Sequence, residues 1–149
     1  MFVAHKAPEE GIAVAEQIAG QASKVNYDTI PHVIYTHLDI AWVGKSEEML
    51  KEEGLPFRVG NFPFRAIGRT HCAGETDGLV KIIGDAKTDR ILGVHLFATN
   101  ASDLIAEAVT AMEFSASTED LARIVHAHPT LAEAIHEAAL AVDGKAFHL

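Results

Sequence analysis

The apolar positions of the chain change period twice. Over residues 5–19 they recur at helical spacing, with Ile12, Ala15, Ala19 and Ala22 on one side and Gly20 ending the run. This small-residue stripe predicts a helix packed close against a neighbour. A polar stretch over residues 23–30 leads to Pro31, the best candidate boundary in the chain. Beyond it the pattern turns to strands. Residues 32–36 and 40–43 are β-rich, and Gly44 closes the second run. Ser46, followed by Glu47 and Glu48, predicts a capped helix that runs to Glu53 and stops at Gly54. Residues 57–64 read as a strand, and Pro63 places it at an edge or an ending.

The clearest hairpin joins residues 79–83 to residues 91–97 through the polar link 85–90. His95 falls inside the second strand and reads as a satisfied core or face histidine. Three helices follow. The first covers residues 101–114, with Leu104, Ile105, Ala108, Val109 and Met112 on one side. The second covers residues 118–125, with Ser117 or Thr118 as its cap. The third covers residues 131–142, with Leu131, Ile135, Ala138 and Val142 as its stripe. Hairpin-linked strands with segregated helices predict an α+β fold, an antiparallel β-sheet flanked by helices. The apolar sides of the first and third of these helices are expected to need cover, which points to a two-fold homodimer.

Composition narrows the function classes. At 149 residues one domain with a substantial core is expected. Twelve basic and 21 acidic residues give a net charge of −9, which argues against nucleic acid and anionic membrane as partners. No apolar run approaches membrane-spanning length and nothing resembles a signal peptide. A cytoplasmic or organelle-matrix location is therefore expected. Cys72 is the only cysteine, so no CxxC pair, internal disulfide or cysteine cage is available, and its polar surroundings read as those of a bystander. The eleven glycines form no G-x-G-x-x-G and no P-loop, so the usual backbone cradle for a dinucleotide is missing.

The densest candidate chemistry is His126-Ala127-His128-Pro129-Thr130-Leu131-Ala132-Glu133. Pro129 biases His128 towards extended backbone, and a helix is expected to start at Thr130 with Glu133 on its first turn. Three readings are open. Thr130-x-x-Glu133 has the form of a capping box, the favoured reading from spacing alone. A carboxylate that accepts from one ring nitrogen of His128 would instead fix the tautomer and make the other nitrogen a better base. Metal binding is the third: His126 and His128 would share one face of a strand, and Glu133 and His136 one face of a helix. No second Glu-x-x-His completes a di-iron set and no spacing matches a zinc finger, so no metal is expected.

Longer motifs carry a resemblance. Tyr35-Thr36-His37-Leu38-Asp39-Ile40-Ala41-Trp42-Val43-Gly44 resembles the start of the C-terminal interface domain of the flavin-dependent pyridine nucleotide-disulfide oxidoreductases. Gly74-Glu75-Thr76-Asp77-Gly78, the run from Asp85 to Gly93, and His126-Ala127-His128-Pro129-Thr130 extend the match in order. The Ala-Trp-Val-Gly strand and the doubled histidine before Pro-Thr are most similar to the dihydrolipoamide dehydrogenase branch. The resemblance implies that residues 1–30 are the end of a flavin-binding domain and residues 31–149 an interface, or dimerisation, domain. It implies that backbone groups of Val3, Ala4 and His5, together with His128, lie beside FAD. It further implies that His128 acts in the active site of the other subunit of a homodimer, taking a proton from a dihydrolipoamide thiol while Glu133 orients it, with electrons passing through FAD to NAD. The reading of Glu133 as a dyad partner thereby overtakes the capping box, which can coexist as a backbone contact. Leu38, the run Phe97-Ala98-Thr99-Asn100 and His71-Cys72 depart from the family's pattern. The family's Cys-x4-Cys pair and its Gly-rich FAD and NAD loops are absent, so this chain alone is expected to bind neither cofactor and to be inactive. The alternative reading is a free-standing dimerisation or interaction module without redox activity, or the interface domain of a related disulfide reductase.

Overall fold

The computed structural model describes residues 4–148. Helix α1 (Lys6–Ile18) leads through a polar segment to β1 (His32–Ile34) and β2 (Asp39–Gly44), then α2 (Glu47–Glu52) and β3 (Phe57–Pro63). After a short helix, α3 (Gly68–Ala73), come β4 (Leu79–Asp85), β5 (Ile91–Ala98), α4 (Ala101–Glu113), α5 (Thr118–Arg123) and α6 (Glu133–Val142). The strands form one antiparallel sheet in the order β1-β2-β5-β4-β3. The expected α+β architecture is therefore the observed one. No described helix is long and apolar enough to cross a membrane.

Alternation along the strands builds the core. In β5, Val94, Leu96 and Ala98 point inward while His95 and Phe97 face the other side. Ala41 and Val43 of β2, Val80 and Ile82 of β4, and Phe62 of β3 join them. Helices α4 and α6 cover this face, contributing Ile105, Ala108, Ala134, Ile135, Ala138 and Val142. Helix α6 lies over β3 and β4 and α4 over β2 and β5, so the two helices divide the sheet between them. The β4–β5 turn is held by Asp85, whose Oδ1 accepts from the Lys87 and Thr88 N–H groups at 2.7 Å. Asp89, at φ 62°, then accepts from the Thr118 hydroxyl (2.6 Å) and the Glu119 N–H (2.9 Å), which seats the start of α5 on the hairpin. Ser117 and Asp120 complete a capping box at that same end.

Several expectations change. The sides of α4 and α6 that were expected to need cover are packed against the chain's own sheet. The uncovered apolar surface lies elsewhere, in a cross-strand row on the open sheet face formed by Ile34, Ile40, Phe97 and Leu79. The α1 stripe is likewise not packed inward. Only Ala13 is buried, while Ile12, Val14 and Ile18 are exposed. Contacts that tie α1 and the following segment to the rest are polar: Tyr27 donates to Glu10, and Asn26 and Thr29 donate to Glu113 of α4. Helix α3 falls where the sequence showed only a polar, glycine-flanked stretch. It is under two turns long, too short for a periodic pattern, and it leaves Cys72 exposed.

Helix α6 crosses β3 at Gly60, where an added Cβ would overlap the Ala138 carbonyl oxygen and the Val142 nitrogen, both backbone atoms. Neither can rotate away. Gly60→Ala is therefore expected to destabilise the chain by about 1–3 kcal/mol, read as a lower denaturant midpoint, whereas Gly11→Ala, in open space, is not.

Candidate functional site

The stretch between α5 and α6 is irregular, so the shared strand face that the metal reading would need for His126 and His128 is not formed. Two anchors shape the loop. His126 is almost enclosed, with Nδ1 against the Ile124 carbonyl (2.9 Å) and Nε2 against Glu107 Oε1 of α4 (2.6 Å). Its ring stacks on His136 of α6 at 5.2 Å, and His136 Nε2 donates to the Ala122 carbonyl at the end of α5. Three helices are thus fastened to one loop residue. Two residues later His128 emerges, its side chain 76% exposed, ahead of a cis peptide bond to Pro129.

Glu133 meets it from the first position of α6. His128 Nδ1 donates to Glu133 Oε1 at 2.8 Å, and the Thr130 N–H donates to Glu133 Oε2 at 2.7 Å. The helix begins at Glu133 rather than Thr130, and the full capping box is not formed. The Thr130 hydroxyl turns back to the Ala127 carbonyl (2.7 Å) instead of capping, and no side chain caps Ala132. One half of the box survives as the backbone contact to Glu133, alongside the His128 bond. Glu133's side chain is only 18% exposed. Burial pushes its carboxyl up, but the Thr130 N–H, the His128 hydrogen bond and the charges of His128 and His148 outweigh that and hold it below its ordinary value. The tautomer of His128 follows: Nδ1 carries the proton and Nε2 faces outward with no hydrogen bond from any described residue.

Three apolar residues, Ile124, Val125 and Phe147, line a cavity with Glu133, beside the polar side chains of α5, α6 and the last segment. Val125 is 94% exposed, and Ile124 and Phe147 are exposed nearby. Among the described residues no three His, Cys, Asp or Glu side chains converge as a metal site, and Glu133 and His136 are committed to separate partners. Of the residues the resemblance placed beside a flavin, Val3 lies outside the described part. Ala4 and His5 are exposed at the start of α1, where no side chain caps the helix, and His5 Nε2 meets the Pro31 carbonyl at 2.7 Å. That open end presents free backbone N–H groups to the edge of a ligand carrying hydrogen-bond acceptors. Glu107, His136, Glu137 and His148 belong to the same constellation; His136 had entered only through the metal reading, and the other three were not singled out. The signal was available: Glu137 follows Glu133 by four residues, which places both carboxylates on one side of α6.

Comparison with known proteins gives the relatives of the chain as a whole. Residues 30–139 match the model of the pyridine nucleotide-disulphide oxidoreductase dimerisation domain. Dihydrolipoyl dehydrogenase of Cupriavidus necator is 56% identical over 148 residues, 99% of this chain and 31% of that protein. The mitochondrial dihydrolipoyl dehydrogenase of Sus scrofa is 53% identical over 148 residues, covering 29% of that protein. The chain thus spans about a third of these curated relatives. Among solved structures, LpdA of Mycobacterium tuberculosis superposes with a TM-score of 0.87 at 25% identity, over 93% of this chain and 30% of that one. The HOCl-induced flavoprotein disulfide reductase RclA of Escherichia coli gives 0.76 at 25% identity, over 83% and 29%.

Because Glu133's carboxyl is depressed in the fold, it contributes stability that is fully present above the unfolded value near 4.5 and is lost as pH falls through the lower folded value. Glu133→Gln is expected to lower stability at neutral pH, with the gap to the parent chain closing as acid is added below that range. Denaturant unfolding at a series of pH values measures it, and a gap that widens in acid would contradict the assignment.

Proposed function

Because the chain belongs to the pyridine nucleotide-disulphide oxidoreductase dimerisation-domain family, we propose that it is the interface domain of a dihydrolipoamide dehydrogenase, with His128 and Glu133 as an acid–base pair. Residues 31–149 form that domain, and residues 1–30 are the end of a flavin-binding domain. The pair serves the active site of the partner subunit in a homodimer. The observation that carries this reading is the 2.8 Å bond from His128 Nδ1 to a depressed carboxylate, which leaves Nε2 outward on an exposed ring.

The chemistry follows from that arrangement. Nε2 takes the proton of a dithiol substrate's S–H, and the resulting thiolate attacks a disulfide contributed by the rest of the enzyme. The S–S bond breaks as the new one forms, and the electron pair leaves on the departing sulfur. Glu133 stabilises the imidazolium while the proton is held and keeps the ring oriented. FAD would supply the acceptor for the electron pair of the reduced cysteines, with NAD beyond it. The apolar rim of Ile124, Val125 and Phe147 excludes water once another surface closes over it, and dry surroundings strengthen the His128–Glu133 attraction. The uncovered row Ile34, Ile40, Phe97 and Leu79 and the open side of α1 are apolar surface for other parts of such an assembly to cover.

In a full-length dimeric relative that carries both residues, the change matching His128→Gln is expected to lower dithiol oxidation by about a hundredfold or more while flavin absorbance stays. Retained activity would remove the base assignment. Sedimentation of the 149-residue chain tests the homodimer separately: twice the 16.0 kDa chain mass is expected, and a monomer mass at every concentration would contradict it.

A further inference from the structure

The first position of α6 holds one histidine–carboxylate pair, and the next turn of the same helix holds another. Glu137 is the most buried carboxylate on this side, its side chain only 3% exposed. Both of its oxygens are filled from the segment after α6. The Phe147 N–H donates to Oε2 at 2.8 Å and His148 Nδ1 donates to Oε1 at 2.6 Å. Glu133 and Glu137 are four residues apart and line one cavity of about 270 Å³ with His126, His136, Phe147 and His148. Like charges at that spacing on a helix repel each other, and in partly dry surroundings they do so over a longer reach. Arg123 reaches the same cavity but is turned to Glu119, with Nε donating at 2.9 Å. Quenching of Glu137 therefore falls to the 144–148 segment.

We propose that His148 is a positioning residue for the His128–Glu133 pair. Latched onto Glu137, it neutralises the buried carboxylate one turn away and leaves Glu133 ionised and committed to His128. This rests on the reading of His128 and Glu133 as an acid–base pair. The direction of Glu133's titration is consistent with it, since the His148 charge is one of the causes that lower it. Removing the latch leaves the buried carboxylate with the Phe147 N–H as its one donor, and its charge then bears on Glu133 through the shared cavity. The same contacts give the 144–148 segment a say in the strength of the base, because any displacement of His148 weakens Glu133's hold on the His128 ring.

The test is carbon-detected NMR titration of the Glu133 side-chain carboxyl in the 149-residue chain. His148→Gln is expected to move the Glu133 midpoint upward, and the effect is expected to vanish when Glu137→Gln is also present, because Glu137 then no longer holds the His148 ring beside Glu133. An upward move that persists in the Glu137→Gln background would overturn the latch, since His148 would then act on Glu133 without being held by Glu137. An unmoved midpoint in His148→Gln, with a raised one in His128→Gln, would overturn it too and leave the acid–base pair standing. Were neither substitution to raise the midpoint, both the latch and the pair would fall. His148 is exposed on its outer side, and Glu137→Gln alone keeps the side-chain shape, so amide spectra of the two single variants verify that each remains folded.

Discussion

The close approach of α6 to β3 at Gly60 is the constraint on which the rest of the site depends. A helix laid on a sheet can slide and roll, and here backbone-to-backbone contact removes both freedoms. Ala134, Ile135, Ala138 and Val142 fill the space beneath, and that burial sets the rotation of α6 about its axis. With the rotation set, Glu133 and Glu137 must emerge on the side facing the α5–α6 loop and the segment after α6. An elementary packing requirement, small residue under helix, thus decides where two carboxylates point.

Electrostatics then organises what packing has placed. Four histidines surround the end of α5 and the start of α6, and each has a different fate. His126 is sunk and bonded at both nitrogens, which makes it a fastener between α4 and the loop. His136 is stacked on it and bonded to a carbonyl. His148 is an exposed ring with one nitrogen on a buried acid. His128 and His148 each combine a nitrogen held by a carboxylate with an exposed ring, the arrangement a general base needs, and of the two His128 is the one proposed as the base. The difference lies in the partners of each ring, not in the residue type, so counting histidines in the chain would not have found it.

Sequence reading recovered the sheet almost strand by strand, because alternation in β4 and β5 and the Ser46 and Ser117 caps are local signals. It also paired His128 with Glu133, although spacing alone favoured a cap and the longer motifs were needed to change the balance. What it missed has physical reasons. Helix α3 is too short to show a period. The stripes on α4 and α6 look the same whether they meet the chain's own sheet or another molecule, since amphipathicity names a face but not its cover. The α1 stripe failed in the opposite sense, exposed where close packing was expected. Fastening His126 to Glu107 joins residues nineteen apart, and no sequence period encodes that contact.

The exposure of the His128 ring is the last consequence of this design. An imidazole open to water exchanges its proton freely, and its attraction to Glu133 is weakened by solvent. The carboxylate, by contrast, is mostly enclosed and already oriented. The chain thus builds the half of the pair that must be rigid and leaves the other half to be desolvated from outside. Val125, Ile124 and Phe147 are exposed apolar residues that line a cavity with Glu133. A surface that covers them would strengthen the pair without moving any backbone atom of α6. On the proposed reading, contact between surfaces and activation of the base would be one event, which would give a dimerisation domain a reason to carry an acid–base pair.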